Sequence, residues 1–481
     1  MSPFYKGAPV FLLLTCAFTI TFITDTIFSA SNNQIERILN RVPGYQKDFA
    51  ILIQPISFTG QKEAPILTLN ETKLMIPASI TKLVTAYFVL DSLGSGETVK
   101  NKLFAYHDKV GRHSIRGPII FRGSGDPGFV SESMWSLVND FYVRGYREIS
   151  GDLWIDTSLF DDIYFDESRL AQRANRAYDA PVSSVSFNWN SVNFHIFPGA
   201  QGEKAEIQVD PMNDYIKLEN KVTTKHADTM VSCSRSISEH SERFVISGTI
   251  NKEVARKILY CPIQSPPLWF GYNLKAFLQQ RGIKFNGDVL LKSNINYENL
   301  VEVAVQESKP ISAMVADMNK FSNNYVAEML VKLVTSHYQV PASLAHGMSL
   351  LNQWLEKKGI DAKEQMRLIN PSGLTRENLL SAKAMYQLLV TAYLDFKVGP
   401  EFIVSLPVGG VDGTLKDRFT KSKGIVRAKT GYLNQVVSLA GYLQSNKQKK
   451  IIPFVFIYNG AKVDEAKNAI DQVIHLVLET L

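Results

Sequence analysis

Residues 77–88 read PASITKLVTAYF, and the fold turns on how this stretch is read. Ile80, Leu83, Val84, Tyr87 and Phe88 recur at helical spacing, which predicts a helix with an apolar stripe. Pro77 stands where a first helical turn tolerates proline, because the N–H it lacks would have no partner there. Ser79 and Lys82 are then i and i+3, side by side on one face. A serine hydroxyl is a weak nucleophile until a base lies within hydrogen-bond reach. A lysine can be that base only when largely neutral, a state favoured by burial and by a second nearby cation. Alone, the pair also reads as a helix cap beside a lysine that snorkels to solvent. The catalytic reading needs two further features: a second polar group on the proton path and a second cation.

Both candidates are present. MNKFSNNYVAEM (318–329) carries Ser322-Asn323-Asn324, a hydroxyl and an amide at i and i+2 where a helix breaks or turns. VRAKTGYLNQVV (426–437) carries Lys429-Thr430-Gly431 at the start of an expected edge strand. Gly431 lets a ligand lie against the backbone, Lys429 supplies the cation, and Thr430 offers a hydroxyl for a carboxylate.

The 481 residues are 45% hydrophobic and 20% charged, enough for two to four globular domains. The net charge of +6 is diffuse, with no basic stripe interleaved with aromatics, so nucleic acid is not an expected partner. Lys6 precedes an apolar run from Ala8 to Ile23, with Ala30 as a cleavage point; residues 1–30 read as an export signal or an uncleaved N-terminal anchor. The body of the chain is then expected outside the cytoplasm, periplasmic or facing the cell wall. Cys233 and Cys261 remain beyond that signal, and a disulfide between them fits an exported protein without being required. No Cys/His cluster, H-E-x-x-H or glycine-rich phosphate loop occurs, so no metal, nucleotide or other cofactor is expected.

Texture changes twice along the chain. A helix (NNQIERILNRV), strand-like pieces (FAILIQPIS, APILTLN) and the Ser79 helix fill residues 31–95, and short β-prone runs follow from about 97 to 262, with one helix at SESMWSLVNDFYVRG. From about 264 helices dominate, and the chain closes with three strand-like runs (GIVRAKTGYL, VVSLAGYLQS, IIPFVFIYN). A terminal helix, with Val463, Ala466, Ile470, Val473, Ile474 and Val477 on one face, should pack back on those strands. The simplest architecture is an α/β domain interrupted by a large β-rich insertion.

The ordered set S-x-x-K, S-x-N, K-T-G resembles the signature of penicillin-binding proteins and serine β-lactamases. The long separation of Ser79 from Ser322 is similar to that in three-domain, low-molecular-mass D-alanyl-D-alanine carboxypeptidases (class C), as are RGSGDP (122–127), GDLWIDTSLF (151–160), YDAPVSSVSFNWN (178–190), PSGLTR (371–376) and LPVGGVDGTLKDR (406–418). The resemblance implies a β-lactamase/transpeptidase-like catalytic domain formed by 31–96 and 264–481. It also implies a β-rich domain of 97–187 and 243–263, with a smaller β domain of 188–242 nested within it.

It further implies roles. Ser79 attacks the D-Ala-D-Ala carbonyl, Lys82 takes its proton, Ser322 relays that proton to the leaving amine, and Asn324 holds the peptide. Lys429 keeps Lys82 neutral, Thr430 receives the terminal carboxylate, and the substrate lies against the backbone at Gly431. The N–H groups of Ser79 and Tyr432 hold the oxyanion, a term on the order of 3 kcal/mol per donor. Arg376 stands near the free end of the stem-peptide side chain. Peptidoglycan stem peptides are the implied substrates and β-lactams the covalent inhibitors, and the same chemistry would cut cross-links as an endopeptidase.

Four departures stand out, the first being Asn323, where Asp is common in the middle of the second motif. Asn370-Pro371 replaces the usual Asp-Gly and stiffens its loop, Tyr432 is bulkier than the customary residue, and the segment around Arg173 and Arg176 is basic where an acid is expected. A β-lactamase would need a deacylating base near the serine, and none can be assigned. A wall-binding scaffold without turnover fits poorly with three intact motifs. Asp126 and Asp412 read as turn-shapers, His107 and His113 as non-catalytic, and Trp154, Trp189 and Trp269 as core.

Overall fold

Phe49–Ile53 and Ile451–Asn459, from opposite ends of the chain, pair antiparallel with Phe49 opposite Tyr458 and Ile53 opposite Phe454. Both strands are apolar and almost wholly buried, as expected of strands covered on both faces. The computed structural model in which they meet describes residues 33–57, 59–172, 180–238, 240–293, 295–360, 362–445 and 450–480. The expected signal segment 1–30, Arg173, Arg176 and most of the NKQKK turn lie outside these described residues. The chain forms two compact units. One comprises the described residues up to Pro77, Leu380–Val390 and the chain from Pro407; the other comprises Ala78–Leu379 and Thr391–Leu406.

In the first unit the sheet runs Val426–Leu433, Val436–Gln444, Ile451–Asn459, Phe49–Ile53, Leu67–Leu69. The strand bearing Lys429 is thus at an edge, as its sequence predicts. The closing helix Val463–Thr480 buries Ala466, Ala469, Ile470, Val473, Ile474 and Val477 in one core with Phe456, Leu439 and Ala428 of the sheet, and with Ile35 and Leu39 of helix 33–39. Packing of this amphipathic face on the strands is what holds the terminal helix.

The second unit begins with the Ser79 turn. Its helices include Thr81–Leu93, Ile311–Lys320, Asn324–Ser336 and Leu344–Lys357. Its β-rich part has a five-stranded sheet in the order Val289–Leu291, Leu153–Asp156, Ile119–Arg122, Lys100–Tyr106, Leu300–Glu307. Here the structure departs from the expected boundary at 263/264. Leu300–Glu307 pairs antiparallel with Lys100–Tyr106, and Val289–Leu291 pairs parallel with Leu153–Asp156. Helix Pro266–Gln280 contributes Trp269, Phe270, Leu274 and Leu278 to the same core as Phe121 and Leu153. Residues 264–307 therefore belong to the sheet that Lys100 begins: two of their strands pair with Lys100–Tyr106 and Leu153–Asp156 and become its outer strands.

Two three-stranded sheets extend this part: Lys257–Pro262, Ser191–Phe197, Glu206–Asp210, and Ile216–Lys225, Ser241–Asn251, Met230–Ser238. Cys233 and Cys261 form a disulfide with a Cα–Cα separation of 6.5 Å. Trp269 is in the core as expected, whereas Trp189 is not: its backbone is left-handed (φ 50°) and its side chain is 42% exposed. The sequence counts an apolar residue there, but the backbone turns it outward.

Candidate active site

Ala78–Ile80 forms a single 3-10 turn that feeds the helix Thr81–Leu93. Ala78 holds φ 50°, a left-handed value that costs a non-glycine residue on the order of 1–3 kcal/mol and persists only where neighbours enforce it. Two enforcers are visible. Thr81 Oγ1 donates to the Ala78 carbonyl at 2.9 Å. Gly373 (φ 76°) presses so close that a β-carbon there would stand 2.1 Å from the same carbonyl oxygen. The helix is buried on every side from Thr81 to Leu90, not on one stripe. Lys82 is fully buried with the rest, which removes the snorkelling reading.

The Lys82 ammonium nitrogen reaches three oxygens: Ser79 Oγ at 3.1 Å, Asn324 Oδ1 at 2.6 Å and the Ser372 carbonyl at 2.5 Å. Asn324 is placed by the helix break its sequence predicts. Ile311–Lys320 ends, Ser322 adopts φ 55°, and Asn324–Ser336 starts with Asn323 as its cap, accepting from the Val326 N–H at 3.3 Å. Ser322 is half-buried on that turn.

Ser372 belongs to the loop Asn370–Asn378, which is stitched to one face of the Ser79 helix. Thr85 Oγ1 donates to the Pro371 carbonyl at 2.7 Å, Lys82 to Ser372, and Asn378 Nδ2 to Thr81 Oγ1 at 3.4 Å. Asn370 is fully buried and accepts from the Ser372 N–H at 2.9 Å while donating to Glu328 Oε1 at 3.2 Å. Glu328, one turn after Asn324, pairs with Arg169 at 3.1 Å with both side chains out of solvent. Desolvation pushes the Glu328 carboxyl above its ordinary range despite the opposing pull of Arg169.

The structure thus brings Ser79, Lys82 and Asn324 into one hydrogen-bonded set, with Ser322 beside them on the Asn324 turn. Arg376 is exposed on the 370–378 loop. Lys429, Thr430, Gly431 and Tyr432 lie on the edge strand of the other unit. Lys429 is fully buried and donates to the Thr430 carbonyl at 2.8 Å; burial pulls its ammonium down to about 7. Thr430 and Thr414 hydroxyls meet at 2.9 Å, and the Tyr432 ring is 67% exposed. Asp126 and Asp412 shape turns as expected, accepting from the Gly128 and Val408 N–H groups; burial pushes Asp126 up to about 6. His107 and His113 are exposed.

Sequence reasoning missed the Arg169–Glu328 pair and the Ser372 carbonyl. The first had a faint signal, a glutamate four residues after Asn324 on a helix whose other charged residue is Lys332. The second is a backbone atom, which no residue type betrays.

This arrangement allows a proton to pass between Ser79 and Lys82. Asn324 Oδ1 and the Ser372 carbonyl can only accept, so they hold two N–H bonds of the lysine in place. The third contact can reverse: a neutral Lys82 can accept the proton of the Ser79 hydroxyl. A serine whose proton can pass to a buried lysine is the constellation of a serine acyl-transfer enzyme.

Comparison with known proteins identifies which. The D-Ala-D-Ala carboxypeptidase 3 (S13) family matches residues 31–480, and the chain belongs to it. It is accordingly a serine-type D-Ala-D-Ala carboxypeptidase. The D-alanyl-D-alanine carboxypeptidase of Actinomadura sp. (strain R39) is 26% identical over 466 residues, 92% of this chain and 86% of the relative. Penicillin binding protein 4 from Haemophilus influenzae shares the fold with a TM-score of 0.76 at 22% identity, covering 92% of this chain and 99% of that one. A penicillin G-acylated predatory endopeptidase from Bdellovibrio bacteriovorus matches more distantly, with a TM-score of 0.52 at 15% identity over 89% of this chain and 92% of its own.

Proposed function

We propose that the carboxypeptidase reaction proceeds through an acyl-enzyme on Ser79, with Lys82 as the base. The observation that carries this is the Lys82 amine, 3.1 Å from the Ser79 hydroxyl and held by two acceptors that cannot give a proton back. Neutral Lys82 removes the Ser79 proton as Oγ attacks the carbonyl of the D-Ala-D-Ala bond. Lys82 returns that proton through the Ser322 hydroxyl to the departing D-alanine amine, so that both residues end as they began, and Asn324 holds the peptide as well as Lys82. Water then cleaves the ester and restores the serine. The roles assigned to the edge strand rest on the motif: Lys429 sets the field that keeps Lys82 neutral, Thr430 receives the terminal carboxylate, Gly431 lets the substrate lie against the strand, Tyr432 lends its N–H to the oxyanion, and Arg376 meets the stem side chain. An arriving carboxylate favours the charged form of Lys429, which burial alone leaves near neutrality.

The substrates in this reading are peptidoglycan stem peptides, and β-lactams acylate Ser79 in their place. The protein is exported, with residues 1–30 as signal or membrane anchor. We read the chain as a catalytic domain interrupted by a β-rich insertion that carries a smaller β domain; the pairing of Leu300–Glu307 with Lys100–Tyr106 supports an insertion that runs on past residue 263. Cleavage of cross-links is the second reading, favoured by the endopeptidase among the structural neighbours. Release of D-alanine from a stem pentapeptide, set against cleavage of cross-linked dimers, separates the two. Loss of both in Ser79→Ala, together with loss of fluorescent-penicillin labelling, is the expected result. Turnover that survives in Ser79→Ala overturns the reading.

A further inference from the structure

Beside the Ser322–Asn324 turn lies an open cleft of about 860 Å³ that the acyl chemistry does not use. One wall is Phe321 and Asn323, so the cleft starts at the motif whose Asn324 holds Lys82. The opposite wall is the start of helix Ser131–Val143, with Ser131, Glu132 and Ser133. Tyr260, Asn193 and Asp210 form its floor; they are register partners on three neighbouring strands, and paired residues share a face of a sheet.

Three aromatic rings stand in this cleft in contact with solvent: Phe321 at 71% exposure, Tyr260 at 51% and Trp189 at 42%. Trp189 is held there at a cost. Asn188, Trp189 and Asn190 adopt φ values of 47°, 50° and 52°, three consecutive non-glycine residues in the left-handed region. Their neighbours lock the run. Asn188 accepts from the Ser131 N–H at 3.1 Å and donates to the Ser131 hydroxyl at 3.0 Å. Asn190 Nδ2 donates to the Pro181 carbonyl at 2.8 Å and to Ser186 Oγ at 2.9 Å. Backbone strain kept by such a network, with a tryptophan turned into a cleft, points to use of that ring.

The chemistry of the rim selects the occupant. Glu132 and Asp210 bring two carboxylates against the single ammonium of Lys309, which already lies 3.8 Å from Asp317. An anionic guest is disfavoured there. Flat aromatic faces with hydroxyl, amide and carboxylate groups around them suit a neutral, hydroxyl-rich ring whose C–H face stacks on the aromatic π-cloud.

We propose that this cleft binds amino-sugar rings of the glycan strand from which the stem peptide hangs, with Trp189 and Tyr260 as stacking platforms. The proposal rests on the peptidoglycan reading above. An extended pentapeptide spans at most about 17 Å, so a stem ending at Ser79 can leave its sugar within reach of a cleft that opens at Asn323.

The test compares kcat/KM for D-alanine release from a disaccharide-linked pentapeptide and from the same pentapeptide without sugar. The wild-type protein should prefer the sugar-bearing substrate at least ten-fold. In Trp189→Ala and Tyr260→Ala the ratio should fall at least five-fold, and Trp189→Phe should restore most of it. A ratio equal in all four proteins overturns the proposal. So does a Trp189 dependence that appears instead with a sugar-free cross-linked peptide dimer, which would make the occupant a peptide. Absence of turnover on both substrates would sink the peptidoglycan reading; titration with the peptide-free disaccharide then judges the cleft. Quenching of tryptophan fluorescence that Trp189→Ala abolishes supports it, and no binding by the wild type overturns it.

Discussion

The carbonyl oxygen of Ser372 lies 2.5 Å from the ammonium nitrogen of Lys82, so a backbone group on a loop 290 residues away orients the proposed base. That loop can approach because residue 373 has no side chain. Gly373→Ala puts a β-carbon 2.1 Å from the Ala78 carbonyl and forces a φ of 76° on an L residue. We expect a stability loss of about 2 kcal/mol or more and acylation by penicillin at least ten-fold slower, read by thermal melting and stopped-flow labelling. A variant that melts and acylates like the wild type would show that the loop does not depend on this approach.

The buried Arg169–Glu328 pair sits behind the same loop. Removing one partner strands a charge out of solvent, at about 3–5 kcal/mol, whereas removing both is far cheaper. Arg169→Met is therefore expected to destabilise more than the double variant with Glu328→Met, in urea unfolding at neutral pH. The double variant should fold yet acylate slowly, because Asn370 loses its Glu328 partner. Additive losses in the two single variants would contradict the pairing.

Lys429 makes stability depend on pH in a definite direction. Its folded-state value of about 7 lies below the ordinary 10.5, so between these limits the unfolded chain binds the proton more readily. This residue therefore lowers stability most below pH 7, and its penalty fades as pH rises toward 10.5. Lys429→Met should melt higher than the wild type at pH 7, with the gap narrowing by pH 9.5, while carboxypeptidase activity is lost. A gap that widens with pH would refute the assignment.

Much of this site could be read from the chain because its chemistry resides in side chains at short, fixed spacings. Ser79 and Lys82 share one face of a turn, the break at Ser322–Asn324 follows from its polar run, and Lys429 falls in an apolar strand near the chain end. What escaped was set by tertiary placement. Residues 264–307 look like the start of a helical domain but return to close a sheet begun at Lys100. Glu328 looks like an ordinary helix charge until Arg169 arrives across the fold. Trp189 is apolar in composition and outward in fact, because it takes a left-handed backbone angle that its own residue type disfavours, between two asparagines that tolerate it.

The most direct test of the central claim is the rate at which fluorescent penicillin acylates Lys82→Met, with the wild type and Ser79→Ala as references. Methionine keeps the length and burial of the side chain but has no lone pair able to take a proton at neutral pH. The account predicts a folded protein whose acylation is slower by about a thousand-fold or more, the upper part of the range for removing a general base. Acylation of Ser79 at the wild-type rate in that variant would contradict it.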